Sequence, residues 1–241
     1  MFRELEVCCG PGEVLAVVGP NGSGKTTLLQ ALLGLRAAEE GWVELGGDPL
    51  SACSRRSLSR RVAYLAQRPD YPHDMLVERV VLLGRVPHLP WFGGYREGDY
   101  RALDAALQQT QTDHLRHRGM KSLSGGELQR VMLARMLCTE ADVLIFDEPT
   151  TALDIGHTFT ILEQCRELAD AGKVVVVSMH EVDLARRVAD RVLCLHGDAI
   201  GTYSLGSAAD VLTCELLGRV FDIDVAVRDG ALVFGPGRLL R

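Results

Sequence analysis

Three glycines, a lysine and two threonines fall within nine residues at Gly19-Pro20-Asn21-Gly22-Ser23-Gly24-Lys25-Thr26-Thr27. That pattern suits phosphate. Glycines carry no side chain to keep backbone N–H groups from closing around phosphate oxygens. Lys25 adds a point charge for β- and γ-phosphates, and the Thr26 hydroxyl can ligate Mg²⁺. Far downstream, the apolar run Val143-Leu144-Ile145-Phe146 ends in Asp147 and Glu148. Adjacent residues leaving a strand point in different directions, so one carboxylate can face a metal while the other faces the γ-phosphate. Taken alone this pair is equally an acidic turn; in register with a phosphate loop it reads as chemistry. A third constellation is Leu123-Ser124-Gly125-Gly126-Glu127, followed by Leu128, Val131, Met132, Arg135 and Leu137. Small residues in front of a helix make a second anion-binding surface. Gln67 follows the run Val62–Ala66, and His180 follows Val174–Ser178; either residue alone would be read as structural.

These groups need a scaffold that brings strand ends together. Glu13–Val18 is valine-rich, as in a buried parallel strand. A helix is expected from about Gly24 to Leu33, carrying Leu28, Leu29, Leu32 and Leu33, with Gly34 ending it. Its positive N-terminal end would point at the phosphates. Further strands are expected at 143–147, 174–178 and 191–195, with a helix over about 155–171. Alternating strands and helices imply an α/β fold, a mostly parallel sheet with helices on both faces. Residues 68–140 read as mainly helical after Pro69 and Pro72. Trp42–Leu45 reads as strand-like before the Gly46-Gly47-Asp48 turn, and residues 225–234 as a hairpin turning at Asp229-Gly230.

Composition narrows the class. The 241 residues are 47% hydrophobic and 24% charged, with a net charge of −6, a balance that argues against nucleic acid as a partner. Arg55, Arg56, Arg60 and Arg61 form the main basic spot, read as a solvated helix face. No stretch approaches 18 apolar residues, and no apolar signal-peptide core follows Met1. The seven cysteines are scattered without a C-x-x-C pair. Cys138, Cys165 and Cys194 lie in apolar patterns and read as buried thiols of a reducing compartment.

The order phosphate loop, Gln67, Leu123–Glu127, Asp147-Glu148, His180 resembles the nucleotide-binding subunit of an ABC transporter, over nearly the whole chain. The resemblance implies one ABC ATPase domain with a P-loop NTPase core. Residues 1–67 and 141–241 would form that core with a small antiparallel β region, and 68–140 an inserted helical subdomain. It implies ATP bound at Gly19–Thr27 and Mg²⁺ held by Thr26, Gln67 and Asp147. Glu148 would be the general base, with Gln67 and His180 beside it, and Asp154 the D-loop acid. Ser124, Gly125, Gly126 and Glu127 would contact ATP held by a second copy of the chain, in a head-to-tail dimer. An integral membrane permease would be the other partner, and indirectly a substrate-binding protein, placing the chain at the cytoplasmic face of the membrane.

A finer likeness rests on Leu83-Gly84-Arg85-Val86-Pro87-His88, on His180–Ala185 and on Leu217–Val225. These resemble the ATPases of metal-chelate importers, for ferric siderophores, haem or vitamin B12. Through Arg85 and His88, with Trp91 and Phe92 nearby, the segment after Gln67 is the expected permease dock. The alternative is a soluble, non-transport ABC ATPase acting as an assembly or mechanical factor; a nucleotide sensor without turnover is opposed by intact Glu148 and His180. One departure stands out: the family places an adenine-stacking aromatic about two dozen positions before the lysine, whereas here the usual opening strand and aromatic are missing, and the neighbours of Phe2, the only candidate, do not match the pattern.

Overall fold

The computed structural model describes residues 4–38, 40–67, 71, 74–151, 155–197, 201–228 and 231–236. The chain divides into two compact units. One comprises Met1–Gln30, Asp147–Pro149 and Thr160–Arg241; the other comprises Ala31–Phe146 and Thr150–Phe159.

In the first unit the strand Val14–Val18 is buried along its whole length, which is why it reads as unbroken apolar sequence. Val174–Ser178 and Arg191–Leu195 flank it, both parallel, with Val17 opposite Ser178 and Leu193. Tyr203–Ser207 closes the edge antiparallel to Arg191–Leu195. Parallel strands release their chains at one end, so Gly19 and Met179 emerge side by side, and Met179 N–H donates to the Val17 carbonyl. Arg166 bonds the Gly12 carbonyl and Asp190, and Asp190 accepts from Val14 N–H, fixing the entry to the central strand. The tail forms the expected antiparallel pair, Ile223–Arg228 with Ala231–Pro236; Asp229-Gly230 lie outside the described residues.

In the second unit Val62–Leu65 pairs in parallel with Val143–Asp147. Helices dominate between them: Val77–Leu82, Glu97–Gln109 and Gly125–Leu137, around a core that includes Val80, Leu103, Leu107, Leu115, Met120 and Leu133. Gly84 lies where this packing is tightest, since a β-carbon there would meet the Arg135 carbonyl oxygen at 2.3 Å. The strand expected at Trp42–Leu45 is shorter, Glu44–Leu45, hairpinned to Asp48–Pro49. Gly46 and Gly47 take the left-handed turn between them, with φ of +62° and +86°. Cys138, Cys165 and Cys194 are fully buried, and burial pushes their thiols up to about 12, about 12 and about 11.

Candidate functional site

The central strand ends at Gly19, where a side chain has no room. A β-carbon there would lie 2.5 Å from the Leu195 carbonyl oxygen and 2.8 Å from Ser23 Oγ. Gly22 and Gly24 hold left-handed backbone, with φ of +80° and +98°, so the loop needs glycine by conformation at two positions and by space at a third. Ser23 Oγ is buried without a hydrogen-bond partner. A buried orphan hydroxyl inside a glycine loop at a helix entrance fits a phosphate oxygen.

Lys25 opens the helix Lys25–Leu32 and is 5% exposed. Its Nζ donates to the Gly19 carbonyl at 2.9 Å and the Pro20 carbonyl at 3.3 Å, and stands 3.7 Å from Glu148 Oε1. Burial lowers its pKa, against the pull of Glu148 and Asp147. Asp147 is also buried, and its Oδ1 receives the Ser178 hydroxyl at 2.7 Å and the Thr26 hydroxyl at 3.4 Å. One carboxylate beside a threonine hydroxyl suits Mg²⁺, which keeps few protein ligands and completes its shell with phosphate oxygens and water. Glu148 has a left-handed φ of +48°, a strain of about 1–3 kcal/mol for a non-glycine residue. Its N–H donates to Ser178 Oγ at 2.9 Å and the Ser178 carbonyl at 3.2 Å, which turns the chain so that the side chain faces Lys25. His180 Nε2 lies 2.5 Å from Glu148 Oε1.

The two carboxylates therefore diverge, as residues leaving a strand do, Asp147 toward Thr26 and Glu148 toward Lys25 and His180. Ser178 is the residue that sequence reasoning passed over. It is fully buried and bonds both carboxylate residues. Its only signal was a hydroxyl closing a run of four valines.

In the second unit, Ser124 caps the helix Gly125–Leu137 in a reciprocal box: Ser124 Oγ accepts from Glu127 N–H at 3.3 Å, and Glu127 Oε2 accepts from Ser124 N–H at 2.7 Å. Arg118 holds the other Glu127 oxygen at 3.0 Å. The Ser124 N–H and hydroxyl, with Arg118, keep this carboxyl below its usual range. Glu127 thus supports the helix entrance, leaving the N–H groups of Gly125 and Gly126 as the first-turn donors outside the box. Gln67 belongs to this unit, just beyond Val62–Leu65. Asp154 and Phe2 lie outside the described residues.

Two expectations for this unit need correction. Arg85 is no docking residue: it is buried, with Nε donating to Asp99 at 2.9 Å and Nη1 to the Cys138 carbonyl at 3.0 Å and Glu140 at 2.6 Å. A planar guanidinium with fixed donors suits such a three-way internal tie. His88 likewise turns inward, Nε2 lying 3.0 Å from the Thr139 carbonyl. Nor is the arginine helix Arg55–Arg61 merely solvated. Arg56 and Arg60 both donate to the Pro87 carbonyl, and Arg61 to the Leu45 carbonyl. Trp91 and Phe92 are exposed as expected, at 89% and 93%, with the Arg56 guanidinium 5.7 Å from the Trp91 ring centre.

The chain as a whole resembles known proteins. The ABC transporter profile matches residues 2–151. A hemin import ATP-binding protein of Streptomyces coelicolor is 43% identical over 94% of this chain and 81% of its own length. An achromobactin transport ATP-binding protein of Dickeya dadantii is 35% identical over 94% of this chain and 84% of its own. A cobalamin import ATP-binding protein of Halobacterium salinarum is 40% identical over 90% of this chain and 54% of its own. Among solved structures, a metal-chelate-type ABC transporter in an inward-facing conformation superposes with a TM-score of 0.82 at 28% identity, covering 97% of this chain and 89% of that one.

Proposed function

Because this chain belongs to the ABC transporter family, as a transport-coupled ATPase subunit, we propose that it powers the import of a metal chelate of the haem, siderophore or cobalamin class. The cluster of Lys25, Asp147, Ser178, Glu148 and His180 carries the chemical half of this reading. In it, Lys25 and the loop N–H groups hold the β- and γ-phosphates, and Thr26, Asp147 and Gln67 would hold Mg²⁺, whose charge would offset that of the phosphates. Glu148 accepts the proton of the water whose oxygen bonds to the γ-phosphorus, while the bond from phosphorus to the departing ADP oxygen breaks. His180 orients Glu148 and the γ-phosphate. Ser178 fixes the angle between the two carboxylates.

Ser124, Gly125 and Gly126 serve a second copy. Their helix entrance contacts the γ-phosphate held by the partner's phosphate loop, so two copies meet head to tail around two nucleotides. The Ser124 hydroxyl accepts from Glu127 N–H and so steadies that entrance. Hydrolysis removes the shared contact, and the open–closed balance shifts by the differential affinity of the two states. Among the described residues no helix is long and apolar enough to cross a membrane, so the reading requires a permease. The names of the haem, achromobactin and cobalamin relatives support the substrate class.

The test replaces Glu148 with Gln, which keeps shape and removes the base. Turnover should fall by about 10²–10⁴, while MgATP still binds and an ATP-dependent dimer accumulates on size-exclusion chromatography. Near-normal turnover would move the base elsewhere. For the substrate, proteoliposomes holding the chain with its permease should take up haem, a ferric siderophore or cobalamin only with ATP inside.

A further inference from the structure

Gly126 is a glycine for a reason its backbone does not supply. It is absent from the residues with positive φ, and it stands in the first turn of the regular helix Gly125–Leu137. The constraint is space. A β-carbon on Gly126 would lie 2.9 Å from His157 Nε2 and 3.2 Å from both Cδ2 and Cε1. Nε2 and its two bonded carbons all lie within 3.2 Å of that point, so the ring turns its face, at Nε2, toward the glycine. Gly125, one position earlier, has nothing within 4 Å of the same point. Of the two first-turn donors outside the capping box, one stands in the open and the other is backed by a ring. His157 is half-buried and belongs to the helix Ile155–Asp170. No motif in the sequence contains it.

We propose that His157 is a positioning residue for the ATP site shared between two copies. Its ring face sets the depth of the Gly126 backbone, and so places the Gly126 N–H where the γ-phosphate held by the partner copy arrives. The imidazole fills the room a side chain would take, so a larger residue at this position would push the ring aside. Movement of the first turn of Ile155–Asp170 displaces the ring and with it that donor. This rests on the head-to-tail reading above, and deepens it by naming what holds the helix entrance at its working height.

The test is a cycle in the Glu148→Gln background, with the ATP-dependent dimer constant measured by sedimentation and each protomer's own MgATP affinity by calorimetry. His157→Ala should weaken dimerisation about tenfold, a coupling typical of residues in contact, with MgATP affinity of the isolated protomer unchanged. His157→Gln, which keeps a nitrogen at similar reach, should restore most of the loss. Gly126→Ala should weaken the dimer, and Gly126→Ala with His157→Ala should recover part of the loss, because the ring that opposed the methyl is gone. A double variant no better than Gly126→Ala, or a His157→Ala dimer as tight as the parent, overturns the proposal. A Glu148→Gln parent that binds MgATP yet never dimerises overturns the shared site itself, a separate failure.

Discussion

At the residue scale the notable economy is Ser178. One hydroxyl donates to Asp147 Oδ1 and accepts from Glu148 N–H, so one atom fixes both the carboxylate assigned to the metal and the backbone of the assigned base. Glu148 is held in a left-handed conformation that a non-glycine residue adopts at a cost. Ser178→Ala keeps the strand and removes that clamp. Its expected effect is a fall in kcat of roughly 10–100-fold, as for other residues that orient ligands, with little change in MgATP affinity. Single-turnover hydrolysis beside calorimetric binding checks this; a kcat within twofold of the parent would mean that the Ser178 carbonyl alone suffices. Ser23 makes the same point from the other side, since its buried orphan hydroxyl has no structural use in the protomer.

At the element scale, Arg85 decides how the helical segment holds together. It lies in the turn Leu83–His88 and ties Asp99, near the start of Glu97–Gln109, to the Cys138 carbonyl just after Gly125–Leu137. The helix bearing Ser124 and Gly126 is therefore anchored at its far end by the same guanidinium. Removing one partner of a buried ion pair leaves an uncompensated charge, so Arg85→Ala should cost about 3 kcal/mol in urea unfolding. The pH dependence has a fixed sign. Burial pushes the Asp99 carboxyl up, but the Arg96 N–H and Arg85 outweigh it and hold it below its ordinary 3.8. A depressed carboxyl contributes stability above its unfolded pKa and loses it as pH falls through the lower folded value. The gap between parent and Arg85→Ala should thus be widest near neutral pH and narrow below about pH 4. A gap that stays constant into acid would show that Arg85 acts through the Cys138 carbonyl and packing rather than through Asp99.

At the scale of the whole molecule, function requires contacts the single chain does not make with itself. Trp91 and Phe92 stand almost fully exposed after Pro90, and Trp91 meets Arg56. Aromatics beside arginine are common interface anchors, and Val86, half exposed, lies on the same turn segment. With Arg85 internal, these are the side chains we assign to permease docking. Trp91→Ala with Phe92→Ala should leave basal ATPase within about twofold and weaken permease binding at least tenfold, the loss of one good hot spot. Co-purification from detergent and ATPase stimulation in proteoliposomes give the two readouts. Full retention of permease binding would sink that assignment and leave the aromatics as a local apolar cover.

The sequence by itself determined the strand order of chemistry. Glycine spacing fixes a phosphate loop because only glycine permits its conformations, and unbroken valine runs such as Val174–Val177 specify strands buried on both faces. The elements at 143–147, 174–178 and 191–195, and the Ser124 helix entrance, were legible for the same local reasons. Local pattern could not reveal which side chains meet over long separations. Arg85 to Asp99 and Glu140, Ser178 to Asp147, and His157 to Gly126 are pairings across 14 to 55, 31 and 31 positions. A buried arginine and an exposed one have the same letter, and Trp91 and Phe92 close by suggested a surface. Only packing decides which charges lose water, and a charge that loses water must find partners. That tertiary requirement turned Arg85 inward and left Trp91 and Phe92 outside, and packing set a histidine ring against Gly126.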